Sequence, residues 1–417
     1  MSAETKKETR ESWKTPIVMG SLAAVVLVFF GILGKPESVA FELTGVREAV
    51  QLPNIDVASN VLGIASGILL LAIAGFVAWQ VAKNIRSSIW LSIVFGAIAL
   101  VALLGWLAGG QVVPVAFILG SALVLAVPII LGAMAGVMSE RVGVVNIAIE
   151  GQLLTGAFMA SVVSTLTGNQ IIGIISAMVT AALFSAVLAV FAIRFLAQQI
   201  IVGVVLNVLA IGITNFLYQQ WVTEDESATN SPGTLPIIHI PVLGDIPIIG
   251  PVLFQNRIIV WLAIAIVIVL WFVLFKTKLG LRARAVGENP LAADTVGINV
   301  GRTRFWWVTL GGLLAGLGGA ALTIGSSGSF GREMSGGLGF IALAVVILGR
   351  WHPGYATAAA LLFGFSIILR VWANQVSPGI PTNFITMVPY IVTIIAVVGF
   401  VGRSRPPAAD GIPYVKG

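Results

Sequence analysis

Long apolar runs constrain this chain more than any other feature. They are Ile17–Gly34, Val57–Trp79, Ile89–Gly109, Val112–Met138, Val144–Leu166, Ile171–Ile193, Ile200–Trp221, Ile258–Phe275, Phe305–Gly325, Gly337–Leu348, Tyr355–Asn374 and Phe384–Gly402. A hydrocarbon core about 30 Å thick is crossed by about 20 helical residues rising about 1.5 Å each. Gly337–Leu348 falls short of that length and is expected to be a half-span or a re-entrant segment. Only 10% of the 417 residues are charged and 58% are hydrophobic, whereas soluble domains carry about 25% charged residues. Such a chain cannot cover a water-facing surface, and it is far too apolar to be disordered. The 47 glycines show no three-residue period, which excludes a collagen-like chain. The expected fold is an all-α polytopic membrane protein, a bundle of about 10–12 transmembrane helices.

Charge placement orients the bundle. If both termini are cytoplasmic and every run crosses, Lys35, Arg47, Arg257, Arg332 and Arg370 lie outside and the other 18 of the 23 Lys and Arg lie inside. The positive-inside rule favours that orientation. The net charge of +6 then reflects topology, so nucleic acid is not an expected partner. The first run also admits a signal-peptide reading, since Ser38-Val39-Ala40 resembles a cleavage site. Its apolar stretch exceeds the usual 7–15 residues, which favours an uncleaved helix.

Much chemistry is missing. There is no Cys, and His239 and His352 stand far apart without a ligand partner at metal spacing. No metal is therefore expected. No phosphate-binding loop, nucleophile elbow or zinc-protease motif occurs, and no catalytic residue is assigned. Ser335-Gly336-Gly337 resembles a fragment of an ATPase signature but falls on the outer side in this topology.

Three features say more than membrane. The first is Ser139-Glu140-Arg141-Val142-Gly143-Val144-Val145-Asn146-Ile147-Ala148-Ile149-Glu150-Gly151, where a span ends at a charged inner turn and the chain re-enters the membrane at once. At i, i+4 spacing Asn146 and Glu150 share one helical face. Glu150 lies about 13 Å into the bilayer if the segment is helical. An intramembrane carboxylate must meet protein or water; it is read either as a gating contact at the inner mouth of a pathway or as a packing hydrogen bond. A proton relay is disfavoured, because no second buried acid or His lies in a neighbouring span.

The second feature is the loop from Lys276 to Arg304, the longest inner one. Asn289 followed by Pro290 is a helix start, and Gly297 is its stop. The predicted helix has about two turns, lies outside the membrane and is flanked by Gly287 and Gly297. Being too short to stand alone, it docks either on its own bundle or in a groove of a partner subunit. Lys276, Lys278, Arg282, Arg284, Arg302 and Arg304 are expected to anchor the adjoining spans at the interface. The third feature is a glycine-rich span in which Gly312 and Gly316 form a GxxxG pair, a common device for close helix approach in lipid.

Together the Ser139–Gly151 motif and Arg284-Ala285-Val286-Gly287-Glu288-Asn289-Pro290-x-Ala292-Ala293-Asp294-x-x-Gly297-Ile298 resemble the permease subunits of bacterial ATP-binding-cassette (ABC) importers for nucleosides, within the group that includes ribose and branched-chain amino acid permeases. Gly339–Val345, Leu348-Gly349-Arg350-Trp351-x-Pro353 and Arg403-x-Arg405-Pro406-Pro407 are also similar to that family. The resemblance runs from about Val112 to Gly417. It implies a core transmembrane domain over 112–403, a cytoplasmic tail over 404–417, and an extension over 1–111 that carries three extra spans. It implies that the helix at Pro290 is a coupling helix seated on a cytoplasmic ATPase, with ATP and magnesium on that partner and no cofactor on this chain. It implies a second, often non-identical permease subunit and an extracytoplasmic substrate-binding lipoprotein, with Val222–Asn256 as a docking or merely solvated loop. The implied location is the bacterial cell membrane. Asn207 and Asn215 are the amides available to a solute. A sugar or branched-chain amino acid permease, and an ion-coupled transporter, are the alternative readings.

Overall fold

The computed structural model describes residues 13–45, 48, 50–85, 87–376, 387 and 405–416. Helix α1 (Lys14–Val25) continues through a π-helical turn to Ile32 and is followed by strands β1 (Ser38–Glu42) and β2 (Ile55–Ala58). Next come α2 (Ser59–Ala82), α3 (Ile89–Ala108), β3 (Val112–Pro114), α4 (Val115–Glu140), α5 (Ile149–Thr167), α6 (Gln170–Ile193) and α7 (Gln199–Leu217). Past a π-helical turn at Tyr218–Val222 lie α8 (Glu226–Thr229), β4 (Ile237–His239), β5 (Gln255–Arg257) and α9 (Ile258–Lys276). Helices α10 (Lys278–Glu288), α11 (Pro290–Thr295), α12 (Val300–Leu322), α13 (Leu338–Leu348) and α14 (Pro353–Val376) complete the series.

Among the described residues, 10 helices are long and apolar enough to cross a membrane, and α13 is a shorter apolar helix. The chain is thus an all-α multi-pass membrane protein. The tenth apolar run is short, as its length implied; the twelfth, Phe384–Gly402, lies outside the described residues except for Met387. Helix boundaries follow local chemistry. Gly168 takes a left-handed φ of +64° to end α5, and the Asn169 side chain accepts the Ile171 N–H at 2.9 Å to open α6.

Two departures from expectation matter. The fifth span begins at Ile149 rather than Val144, so Asn146 lies in the non-helical stretch before it and shares no helical face with Glu150. The stretch between Lys276 and Arg304 holds two helices, and Gly287 belongs to the first of them, α10, rather than flanking a single helix. The loop over Val222–Asn256 is also ordered in part, β4 pairing antiparallel with β5.

The chain forms two compact units. One comprises Met1–Ile118, Asp245–Ile249 and Leu369–Gly402, the other Leu119–Gly244, Gly250–Ile368 and Arg403–Gly417. In the first, α1, α2 and α3 pack around Met19, Leu70, Val77 and Phe95, and β1 pairs antiparallel with β2 and parallel with β3. In the second, α5 and α12 are the most enclosed spans, 78% and 72% buried against 28% for α6, α7 and α9. Glycines make that centre possible. A Cβ on Gly316 would lie 2.3 Å from the Ala177 carbonyl oxygen on α6, and one on Gly319 the same distance from the Leu153 carbonyl oxygen on α5. The GxxxG pair therefore sits at a backbone-to-backbone contact, the close approach on which helix association in lipid depends.

Candidate functional site

Between α4 and α5 the chain crosses residues 141–148 without forming a helix, and Val142, Val144, Asn146 and Ala148 in it are fully buried. Backbone polar groups removed from water need partners. Side chains of α7 supply them. The Gln199 amide oxygen accepts from the Val145 N–H at 2.8 Å, and Asn207 accepts from the Gly151 N–H at 2.8 Å while donating to the Ile147 carbonyl at 2.9 Å. Asn207 thus braces the break and is not a cavity residue. Asn146 exchanges two 3.2 Å hydrogen bonds with Gln152, and Gln152 donates to Ser185 at 2.8 Å. Gly151 fits because a Cβ there would come within 2.8 Å of Ala210 Cβ.

Glu150 closes the other side of the break. Its Oε1 accepts from Ser335 Oγ at 2.7 Å and from the Gly337 N–H at 2.8 Å, and its Oε2 accepts from the Gly339 N–H at 2.6 Å. These donors open α13, so a carboxylate carried in the first turn of α5 also satisfies the free N–H groups of a second helix. Gly339 permits the contact, since a Cβ on it would lie 2.4 Å from the Glu150 backbone nitrogen. Ser335 and Gly337 thus belong to this contact, while Gly336 between them is exposed. Of the two readings of Glu150, the geometry matches the hydrogen-bonded packing contact.

The far end of α13 meets the charged turn. The Trp351 indole N–H donates to Glu140, while Arg141 Nε donates to the Trp351 carbonyl at 2.9 Å and its Nη2 to the Arg350 carbonyl at 3.4 Å. Arg350 and Trp351 both adopt left-handed φ, +52° and +54°, which costs energy for residues with a Cβ. The Glu140–Arg141 pair holds that turn in place.

The same turn receives α10. A Cβ on Gly287 would stand 2.2 Å from the Arg141 carbonyl oxygen, and Gly143, at φ +84°, leaves no room for one between the Arg304 guanidinium and the Ala409 carbonyl. Helix α11 starts as the sequence predicted: Asn289 caps it by accepting from the Ala292 N–H at 3.0 Å, Pro290 occupies its first turn, and Gly297 follows at φ +83°. Ala293 is buried against the bundle, whereas Glu288, Asn289, Ala292, Leu291, Val296 and Gly297 are exposed and Pro290 and Asp294 half-buried. One face of α11 is docked and the other is free in this chain.

The tail was the feature least visible in the sequence. The Ala409 N–H donates to the Gly287 carbonyl at 2.8 Å, Ala408 N–H lies 3.4 Å from Glu288 Oε2, and Lys416 Nζ is 4.0 Å from Asp294. Arg304, expected as an interfacial anchor, is instead 2% exposed and donates to the Ile412 carbonyl at 3.0 Å. Residues 405–416 strap α10 and α11 to the turn. Burial pushes the Asp410 carboxyl up to about 7, against the Arg304 guanidinium and the Gly411 N–H, which lower it. A solvated Asp titrates near about 4, so the docked tail binds its proton more tightly than a released one. Docking is thus tightest at acidic pH, weakens as pH rises towards about 7, and is flat above that. Hydrogen exchange at the Ala409 amide should show a protection factor that falls over this window, and Asp410→Asn should remove the slope.

Residues 118–397 match the family described as branched-chain amino acid transport system, permease component. The guanosine ABC transporter permease protein NupQ of Bacillus subtilis is 41% identical over 309 residues, covering 72% of this chain and 97% of that protein. The nucleoside ABC transporter permease protein NupC of Lactococcus lactis is 40% identical over 310 residues, covering 72% and 96%. A putative glucose ABC transporter permease, TsgC13 of Haloferax volcanii, is 35% identical over 256 residues, covering 61% and 77%. No solved structure matches at a significant level. With ten helices among the described residues long and apolar enough to cross a membrane, a buried break held by Glu150 and Asn207, and a sequence that matches such permeases over most of its length, the chain belongs to the branched-chain amino acid transport system permease-component family.

Proposed function

We propose that this chain is the permease subunit of an ATP-driven ABC importer for nucleosides. The identity to NupQ and NupC, which extends over nearly their whole lengths, carries the substrate class. The exposed face of α11, joined through Gly287 to the Arg141 turn, supports its role as the coupling helix that seats on an ABC ATPase. Gly287, Glu288, Asn289, Pro290, Ala292, Ala293, Asp294 and Gly297 form that contact region. Glu140, Arg141, Gly143, Asn146, Glu150 and Gly151 carry its movement to the membrane-embedded break. In this reading both termini are cytoplasmic, since 18 of 23 Lys and Arg then lie inside. ATP and magnesium belong to the ATPase, a second permease subunit completes the pathway, and an extracytoplasmic binding lipoprotein delivers solute. The core domain is 112–403, the tail 404–417 and the extension 1–111.

Co-reconstitution with the ATPase, second permease and binding protein in vesicles tests the reading. ATP-dependent nucleoside uptake is expected. Uptake that persists without ATP and follows an imposed ion gradient would sink it. Glu288→Arg and Asp294→Arg should each weaken ATPase association, and unchanged assembly in both would argue that α11 serves its own bundle alone. A sugar permease is the second reading, favoured by TsgC13; glucose uptake in the same vesicles distinguishes it.

A further inference from the structure

Helix α13 runs from Glu150, at its start, to the Arg141 turn at its end. Its 11 residues rise about 16 Å, so Ser335 and Gly337 sit about halfway into a core about 30 Å thick. The segment from Gly328 to Gly337 reaches that depth with no helix or strand. Irregular backbone at membrane depth is tolerated only where it is buried in protein or lines a water-filled path. This segment carries Arg332 and Glu333, both exposed, and Glu333 is held at φ +53°. Asn215, which meets Glu333, is 16 residues along α7 from Gln199, about 24 Å, so these charges lie towards the end of that span rather than at the depth of Ser335. Charges there face protein or water rather than lipid.

Two side chains near the end of α7 meet them. Asn215 Nδ2 donates to Glu333 Oε1 at 3.3 Å, and the Arg332 guanidinium lies 5.0 Å from the centre of the Tyr218 ring. Tyr218 opens the π-helical turn that ends this span, a distortion that is frequent at functional sites.

We propose that Asn215, Tyr218, Arg332 and Glu333 form a solute-selecting site on the pathway, and that its ligand is a nucleoside. The proposal rests on the nucleoside reading above and assigns it a place. The chemistry is complementary on each side. The Glu333 oxygen not bonded to Asn215 can accept a sugar hydroxyl, and the Arg332 guanidinium, held by Tyr218, which also packs on Phe330, offers its outer plane to a base. The opposite charges of Arg332 and Glu333 cancel, which suits a neutral solute. A hexose would use the carboxylate but leave the guanidinium plane empty.

The chain has no Cys, so Glu333→Cys places one thiol in it. In the complete reconstituted transporter, a charged membrane-impermeant thiol reagent is expected to label this position, and saturating guanosine with its binding protein should slow labelling at least about fivefold. Leu183→Cys, on an exposed apolar stretch of α6, should not react. Glu333→Gln should lower guanosine uptake about tenfold, the loss expected for one charge-assisted hydrogen bond, with ATPase assembly unchanged. An unreactive thiol at 333, labelling that guanosine does not slow, or parental uptake by Glu333→Gln would each overturn the proposal. Uptake by the unaltered transporter is scored first. If that transporter carries glucose in place of nucleosides, the nucleoside reading fails and takes this ligand class with it. If it carries nucleosides and position 333 is inert, only the site falls.

Discussion

Glu150→Leu should abolish uptake, lowering it at least about 100-fold, and should lower the melting temperature of the purified transporter. The carboxylate takes three donors, Ser335 Oγ and the N–H groups of Gly337 and Gly339. Leucine fills the space and leaves all three without an acceptor. A buried donor without a partner costs about 1–3 kcal/mol, so the start of α13 is freed to rearrange. Glutamine separates shape from charge. Its carbonyl can replace Oε1 and keep Ser335 and Gly337, but its NH2 group then faces the Gly339 N–H, donor against donor. Glu150→Gln should therefore fall between parent and Leu, near a tenfold loss. Uptake by the Leu variant within twofold of the parent would show that the link between α5 and α13 has no part in transport.

The order of those effects also explains what could be read in advance. Apolar runs and the cap residues Asn289, Pro290 and Gly297 act locally, so the spans and α11 were legible within a few residues. The break at 141–148 was not, because a buried extended stretch and a buried helix show the same apolar composition. Its partners, Gln199 and Asn207, are about fifty residues further along the chain. Of the two only Asn207 stood out, as an amide in the apolar run of α7, and it was read as available to a solute. Gly287 was read only as flanking a single helix. Its real constraint is the carbonyl of Arg141, supplied by another motif. Arg304 was placed at the interface for its charge, whereas the tail that buries it lies about a hundred residues away. What stayed hidden was tertiary pairing between motifs, each of which had been noticed singly.

Gly287→Val tests whether that pairing transmits force. The nearest atom to its new Cβ is a backbone carbonyl oxygen at 2.2 Å, which cannot swing aside as a side-chain tip can, so α10 must move by about 1 Å to restore ordinary contact. The displacement carries with it α11, joined directly to α10, and the tail, bonded at the Gly287 carbonyl. ATP-driven uptake should fall at least about tenfold while the associated ATPase continues to hydrolyse ATP, so that transported solute per ATP drops. Gly301→Ala is the matched control. It adds a methyl group on α12 whose nearest neighbour is Ile193 at 3.7 Å, an ordinary contact, and should leave the ratio unchanged. Loss of both hydrolysis and uptake in the Val variant, at normal membrane levels, would instead place α10 in the docking of the ATPase. A preserved ratio would mean that movement reaches the Glu140–Arg141 turn by a route other than α10. The contact is informative because it is made by backbone on both sides: only geometry can pass through it, with no charge or hydrogen bond of either side chain involved.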